Sequence, residues 1–171
     1  MDTGEKLPSS FFRQDVLQVA PDLLGKYLVR KFDNGEEIRL RITDVEAYRG
    51  EEDKACHASK GRTARTEVLF SEGGSIYVYL IYGMYWLLNF VTGKKDQPQG
   101  VMIRAVEGTY GPGRVGRLLN LDISFRGESV TGERLWIEDS DEKPQYKTAP
   151  RIGIDYAGEW KYIEWRFFID K

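Results

Sequence analysis

In EIRLRITDVEAY (37–48) the apolar side chains Ile38, Leu40 and Ile42 recur at every second position, the repeat of a half-buried β-strand. YLVRKF (27–32) reads as its partner, joined to it by a turn at Asp33-Asn34-Gly35. IYVYLI (76–81) and YWLLNFV (85–91) form a second pair that meets at Tyr82-Gly83-Met84, and VMIRAVE (101–107) adds a further strand. Helical signals are fewer. Asp15 followed by Gln18 resembles a capping box opening a short helix, which Gly25 closes and Pro21 kinks or divides. Thr66 caps the turn EVLF, and GPGRVGRLLNLD (111–122) starts a helix after a Gly-Pro-Gly turn. The tail, RIGIDYAGEWKYIEWRFFID, ends in a strand-like aromatic segment. Strands in runs with peripheral helices predict an α+β fold, a curved and mostly antiparallel sheet in one domain over residues 1–171, with residues 1–10 loosely ordered.

Within this pattern SIYVYLIYGMYW (75–86) stands apart, with four tyrosines and a tryptophan around Gly83. Buried phenols each want a hydrogen-bond partner, so this many flat, polar-tipped rings suggest a surface that stacks on flat ligands, nucleobases foremost. No charge occurs from Gly73 to Gly93, a length that nominally spans a bilayer. Gly83 mid-run, Asn89, and aromatic rings at the centre rather than the ends argue for a hairpin instead.

Composition narrows the chemistry. The 171 residues are 41% hydrophobic, enough for one cored domain. Lys and Arg number 25 against 27 Asp and Glu, so any nucleic-acid role rests on a local basic patch. Cys56 is alone, which excludes intrachain disulfides and Cys-rich zinc sites and points to a reducing compartment. His57 is the only histidine, which nearly excludes the usual His-based metal sites. MDTGEKLPSS lacks a basic segment followed by an apolar one, and no signal peptide is read there.

If the strand over 37–48 stays regular, Glu46 shares the inward parity of Ile38, Leu40 and Ile42. A carboxylate there is paired, raised in pKa by desolvation, or lines a cavity; alternatively a bulge rotates it outwards. Arg104 shares a face with Met102 and Val106 and needs a partner, for which Glu46 is the natural candidate. His57 lies in a loop-like stretch with Lys60, Arg62 and Arg65, either a phosphate-contacting patch or an ordinary solvated loop. Tyr77 and Tyr79 fall on one face of their strand. Tyr82, at the tip, is placed as a wedge into a base stack or as part of an aromatic core hairpin.

The combination DVEAYRGEEDKACHASKGRTARTEVLF, YVYLIYGMYWLLN, VMIRAVEG and GPGR resembles the alkyladenine (3-methyladenine) DNA glycosylase family, from about Leu24 to RIGIDYAGEW. The resemblance implies hydrolysis of the N-glycosidic bond of alkylated and deaminated purines in double-stranded DNA, with the hairpin of the α+β fold inserting into the duplex. It implies Glu46 as general base and Arg104 as holder of the attacking water. It further implies a base pocket of Tyr48, Tyr79, His57, Asn89 and the backbone of Ala55, with Tyr82 intercalating. Tyr77 then supports His57, and Lys60, Arg62 and Arg65 contact phosphates. A monomer without cofactor, in the cytoplasm or nucleoid of a bacterial-type cell, is the matching expectation. A non-catalytic minor-groove or lesion-binding module is the main alternative. A hydrolase of free nucleosides would leave Tyr82 and the basic patch without a purpose.

Overall fold

A computed structural model describes residues 4–169. Helices α1 (Ser9–Phe12) and α2 (Val16–Leu23) precede strands β1 (Tyr27–Lys31), β2 (Glu37–Arg49), β3 (Ile76–Ile81), β4 (Tyr85–Thr92), β5 (Gln99–Val106) and β6 (Thr109–Tyr110). Helix α3 (Pro112–Leu118) follows, then β7 (Leu135–Glu138), β8 (Lys147–Ala149) and β9 (Arg166–Phe168). The strands form one curled antiparallel sheet in the order β3-β4-β5-β2-β1-β7, with β6 on β5 and β9 bridging β2 and β8. This is the α+β architecture that the strand runs predict. The uncharged stretch is the β3–β4 hairpin, and no helix among the described residues is long and apolar enough to cross a membrane.

Strand β2 is the spine. Its first half pairs with β1, its second half with β5 on one edge and β9 on the other. The sheet's two sides then separate by alternation. Ile76 and Val78 of β3, Leu88 and Phe90 of β4, and Val101 and Ile103 of β5 enter the main core against Val16, Val19, Ala20 and Leu23 of α2. Tyr77 and Tyr79, Leu87 and Asn89, and Gly100, Met102 and Arg104 turn to the opposite side, where a cavity lies.

The parity expected for β2 does not hold along its whole length. The β2–β5 register is irregular on both sides of Asp44, where Ile42 pairs with Val106, Asp44 with Ala105 and Val45 with Ile103. Ile42, Val45 and Ala47 all belong to the core, and so do Val106 and Ile103. Glu46 therefore parts from Ile42, and Arg104 from Val106, and both carboxylate and guanidinium move to the cavity side. The irregularity does not expose Glu46, which stays fully buried.

Local details refine the helical expectations. Asp15 accepts the Leu17 amide at 2.9 Å, whereas the Gln18 side chain bonds Asp22 instead of returning to the cap. Pro21 stays inside α2, which runs on to Leu23, and its ring removes the amide that would otherwise donate to the Leu17 carbonyl. Gly25, at φ 88°, bonds the Ile42 carbonyl and ties the exit of α2 to β2. Thr66 does not cap the turn after it. Its hydroxyl accepts from the Thr63 amide and donates to the Gly61 carbonyl. Helix α3 ends at Leu118, earlier than the pattern suggests, and Asn120 turns the chain at φ 53°. Of the first ten residues, residues 1–3 lie outside the described ones, while Lys6 bridges Glu138 and Leu7 is buried.

Candidate active site

The cavity measures about 370 Å³, within the range of small-molecule sites, and is walled by Tyr48, Tyr77, Tyr79, His57, Asn89 and Met102. Its floor is organised around Glu46. The Tyr48 hydroxyl donates to Oε1 at 2.7 Å and the Ile152 amide to Oε2 at 2.8 Å. The Arg104 guanidinium stands 3.5 Å from Oε2, at ion-pair rather than hydrogen-bond distance. Burial raises the carboxyl above its ordinary 4.5, opposed by Arg104, the Ile152 amide and the Tyr48 hydroxyl. Tyr48 is held well above its usual range by burial and by the Glu46 charge, so it stays a neutral donor.

The opposite wall is aromatic. The rings of His57 and Tyr79 meet edge to face with centroids 4.2 Å apart, and the Tyr77 hydroxyl lies 2.9 Å from His57 Nδ1. Arg65 Nη2 stands 3.4 Å from the same nitrogen, and a guanidinium can only donate. Nδ1 is thus the acceptor, and the neutral ring carries its proton on Nε2. Burial, Arg65 and Lys60 lower the imidazole to about 4, so it is uncharged at neutral pH. Burial likewise pushes the Cys56 thiol, also on the cavity wall, up to about 12.

A salt bridge 98 residues apart in the chain holds these parts together. Arg151 and Asp53 are completely buried and bidentate, at 2.6 and 2.9 Å. Arg151 also donates to the Ala47 carbonyl at 3.0 Å and lies over the Tyr48 ring, 4.9 Å from its centroid. Asp53 in turn accepts the amides of Arg49 and Ala55, each at 3.0 Å. Because the Ala55 amide is engaged, only its carbonyl is left to meet a ligand edge. Arg151, Asp53 and Ile152 were not singled out in the sequence. The contacts from Arg151 to Asp53 and from Ile152 to Glu46 join positions remote in the chain, and no local motif marks them.

The remaining candidates divide. Asn89 lines the cavity between Tyr77 and Met102, its pairing partners on β3 and β5. Tyr82 stands at the mouth, 86% exposed, with φ 52° beside Gly83 at φ 64°. Arg65 and Lys60 flank His57, but Arg62 turns away to Asp96 at 2.6 Å and Glu67 at 3.4 Å. Tyr156, absent from the sequence-based set, also lines the mouth and is 69% exposed. Among the described residues no group of three His, Cys, Asp or Glu gathers to hold a metal. What the arrangement offers is a carboxylate of raised pKa under a slot between flat rings, with one cation close to it.

The profile of the methylpurine-DNA glycosylase family matches residues 10–109 and 107–171. A protein of Methanocella arvoryzae is 44% identical over 95% of this chain and 91% of its own length. One from Natranaerobius thermophilus is 40% identical over 96% of this chain and 95% of its own, and one from Legionella pneumophila 42% over 96% and 94%. All three carry the provisional name 3-methyladenine DNA glycosylase.

Proposed function

The chain belongs to the methylpurine-DNA glycosylase family, and from that premise we propose that it excises damaged purines from duplex DNA with a water activated by Glu46. The observation that carries this reading is the buried Glu46 carboxylate, bonded by Tyr48 and Ile152 and approached by Arg104, all three of which line one aromatic cavity. An extruded purine enters between Tyr48 and Tyr79, with His57 at its edge, Asn89 opposite the position of a guanine 2-amino group, and the Ala55 carbonyl within reach. Tyr82 fills the gap left in the stack. A bulky residue in the left-handed region costs about 1–2 kcal/mol, a local cost that supports a functional tip.

Breaking the bond from C1′ to the purine nitrogen develops an oxocarbenium-like sugar. Glu46 takes the proton from water held beside Arg104, and its negative charge stabilises the cation. Methylation at N3 leaves a cationic leaving group that needs no acid. A neutral hypoxanthine needs a proton, and His57, uncharged at neutral pH, does not supply it. The attacking group is water, so the product is an abasic site without strand cleavage and borohydride traps no adduct. On this reading the protein acts as a monomer, in the nucleoid of a bacterial-type cell, on 3-methyladenine, 7-methylguanine and hypoxanthine.

The test uses one duplex carrying a single hypoxanthine and a second, methylated duplex, each treated with hot alkali after incubation. Alkali-dependent breaks with release of the free base support the reading. Release of methylated purines alone narrows the substrates. Duplex binding without release from either favours a lesion-binding module, a role for which the full engagement of Glu46 is the one argument.

A further inference from the structure

The exposed arginines among the described residues fall into two sets. Arg13, Arg39, Arg49 and Arg62 each hold a carboxylate, at 2.9, 2.9, 2.7 and 2.6 Å. Arg65, Arg114 and Arg117 hold none among the described residues. Arg65 adjoins His57 at one side of the cavity. The other two project from α3, whose first residue, Pro112, lines the cavity.

Helix α3 is pressed on the hairpin stem by two glycines. A Cβ on Gly116 would fall 1.8 Å from the Trp86 carbonyl oxygen, and one on Gly113 2.9 Å from the Tyr85 ring. This close approach fixes Arg114 and Arg117, one turn apart, at the shoulder of the hairpin that carries Tyr82. The Arg117 guanidinium lies over the Tyr85 ring at 5.0 Å, which holds the side chain in place without consuming its charge.

We propose that Arg114 and Arg117 form a second phosphate-binding shoulder, which with Lys60 and Arg65 straddles the mouth of the cavity and grips the DNA backbone on either side of the extruded nucleotide. The inference rests on the glycosylase reading. It answers how a chain of net charge −2 engages a polyanion: Arg13, Arg39, Arg49 and Arg62 are each spent on a carboxylate, whereas Arg65, Arg114 and Arg117 remain unneutralised among the described residues beside the cavity.

The experiment measures affinity for a duplex with a tetrahydrofuran abasic analogue, by fluorescence anisotropy across a salt series. Each phosphate contact contributes about 0.9 to the slope of log K against log salt, so Arg114→Gln/Arg117→Gln should lower the slope by about 2 and weaken binding roughly tenfold at low salt. Arg114→Lys/Arg117→Lys should retain the slope, and single-turnover excision at saturating DNA should be unchanged in both. Arg13→Gln/Arg39→Gln removes the same formal charge and should leave the slope near wild type. An unchanged slope in the α3 variant, or an equal fall in this control, overturns the proposal. Loss of excision at saturating duplex with an unaltered slope overturns it too. Failure of the wild type to bind any duplex would remove the glycosylase reading itself, and the shoulder with it.

Discussion

The floor of the cavity and the tip of the hairpin at its mouth differ in how far their polar and aromatic groups are already committed. Glu46 is fully buried and bonded by Tyr48 and Ile152, and the Arg151–Asp53 pair beneath it is equally closed. Tyr82 is exposed, its backbone is left-handed, and its hydroxyl has no partner among the described residues. Groups that stabilise a developing charge work best when oriented before the reaction, and folding meets the cost of placing them. A wedge gains its energy only on meeting the stack it enters, so it is left uncommitted until then. The floor should therefore be read out in stability and chemistry, and the tip in binding.

The largest effect that could break this contrast is on stability. Arg151→Met strands the Asp53 carboxylate without its cation and should cost about 3–5 kcal/mol, measured by urea unfolding. A loss under about 1 kcal/mol would show that the floor is not held by this pair. Next, Tyr82→Ala should weaken binding to a lesion duplex by roughly 1–3 kcal/mol, the usual worth of an aromatic contact to a base. Undiminished affinity in a direct titration would remove the wedge. The same substitution should move the unfolding free energy by no more than about 0.5 kcal/mol, because the tip packs on little.

A pH series sharpens the comparison at the cavity wall. Burial, with Arg65 and Lys60 nearby, lowers His57 to about 4 in the fold, against 6.5 for a free imidazole side chain. Between these values the unfolded chain holds the extra proton, so stability rises with pH across that window and falls as pH drops through it. His57→Gln should flatten this part of the profile, and an unaltered slope would contradict the buried, neutral imidazole. For Glu46 the shift is upward, so the acid limb of excision should lie above the ordinary 4.5, provided Glu46 must be ionised to act.

Much of the sheet was legible because alternation is local. IYVYLI is β3 to the residue, and Tyr77 and Tyr79 do share the face opposite Ile76 and Val78. Strand β2 was legible along almost its whole length, but which side each residue faces was legible only as far as Ile42. Beyond it the apolar residues Val45 and Ala47 fall on the other parity, and that clash with Ile38, Leu40 and Ile42 is the sequence signal of the irregularity at Asp44. The bond from Ile152 to Glu46 and the Arg151–Asp53 bridge had no such signal, since residues about a hundred positions apart meet only when β9 closes on β2. The resemblance named the groups lining the cavity and, in Tyr77, the support of His57, but not Arg151, Asp53 or Ile152.

The central claim is that Glu46 does chemistry rather than hold the pocket together, and single-turnover excision by Glu46→Gln at saturating methylated duplex tests it most directly. The account predicts a loss of about 10²–10⁴-fold in rate, with affinity for an abasic-analogue duplex close to wild type. A rate near wild type, or a loss of rate explained by an equal loss of binding, would contradict it.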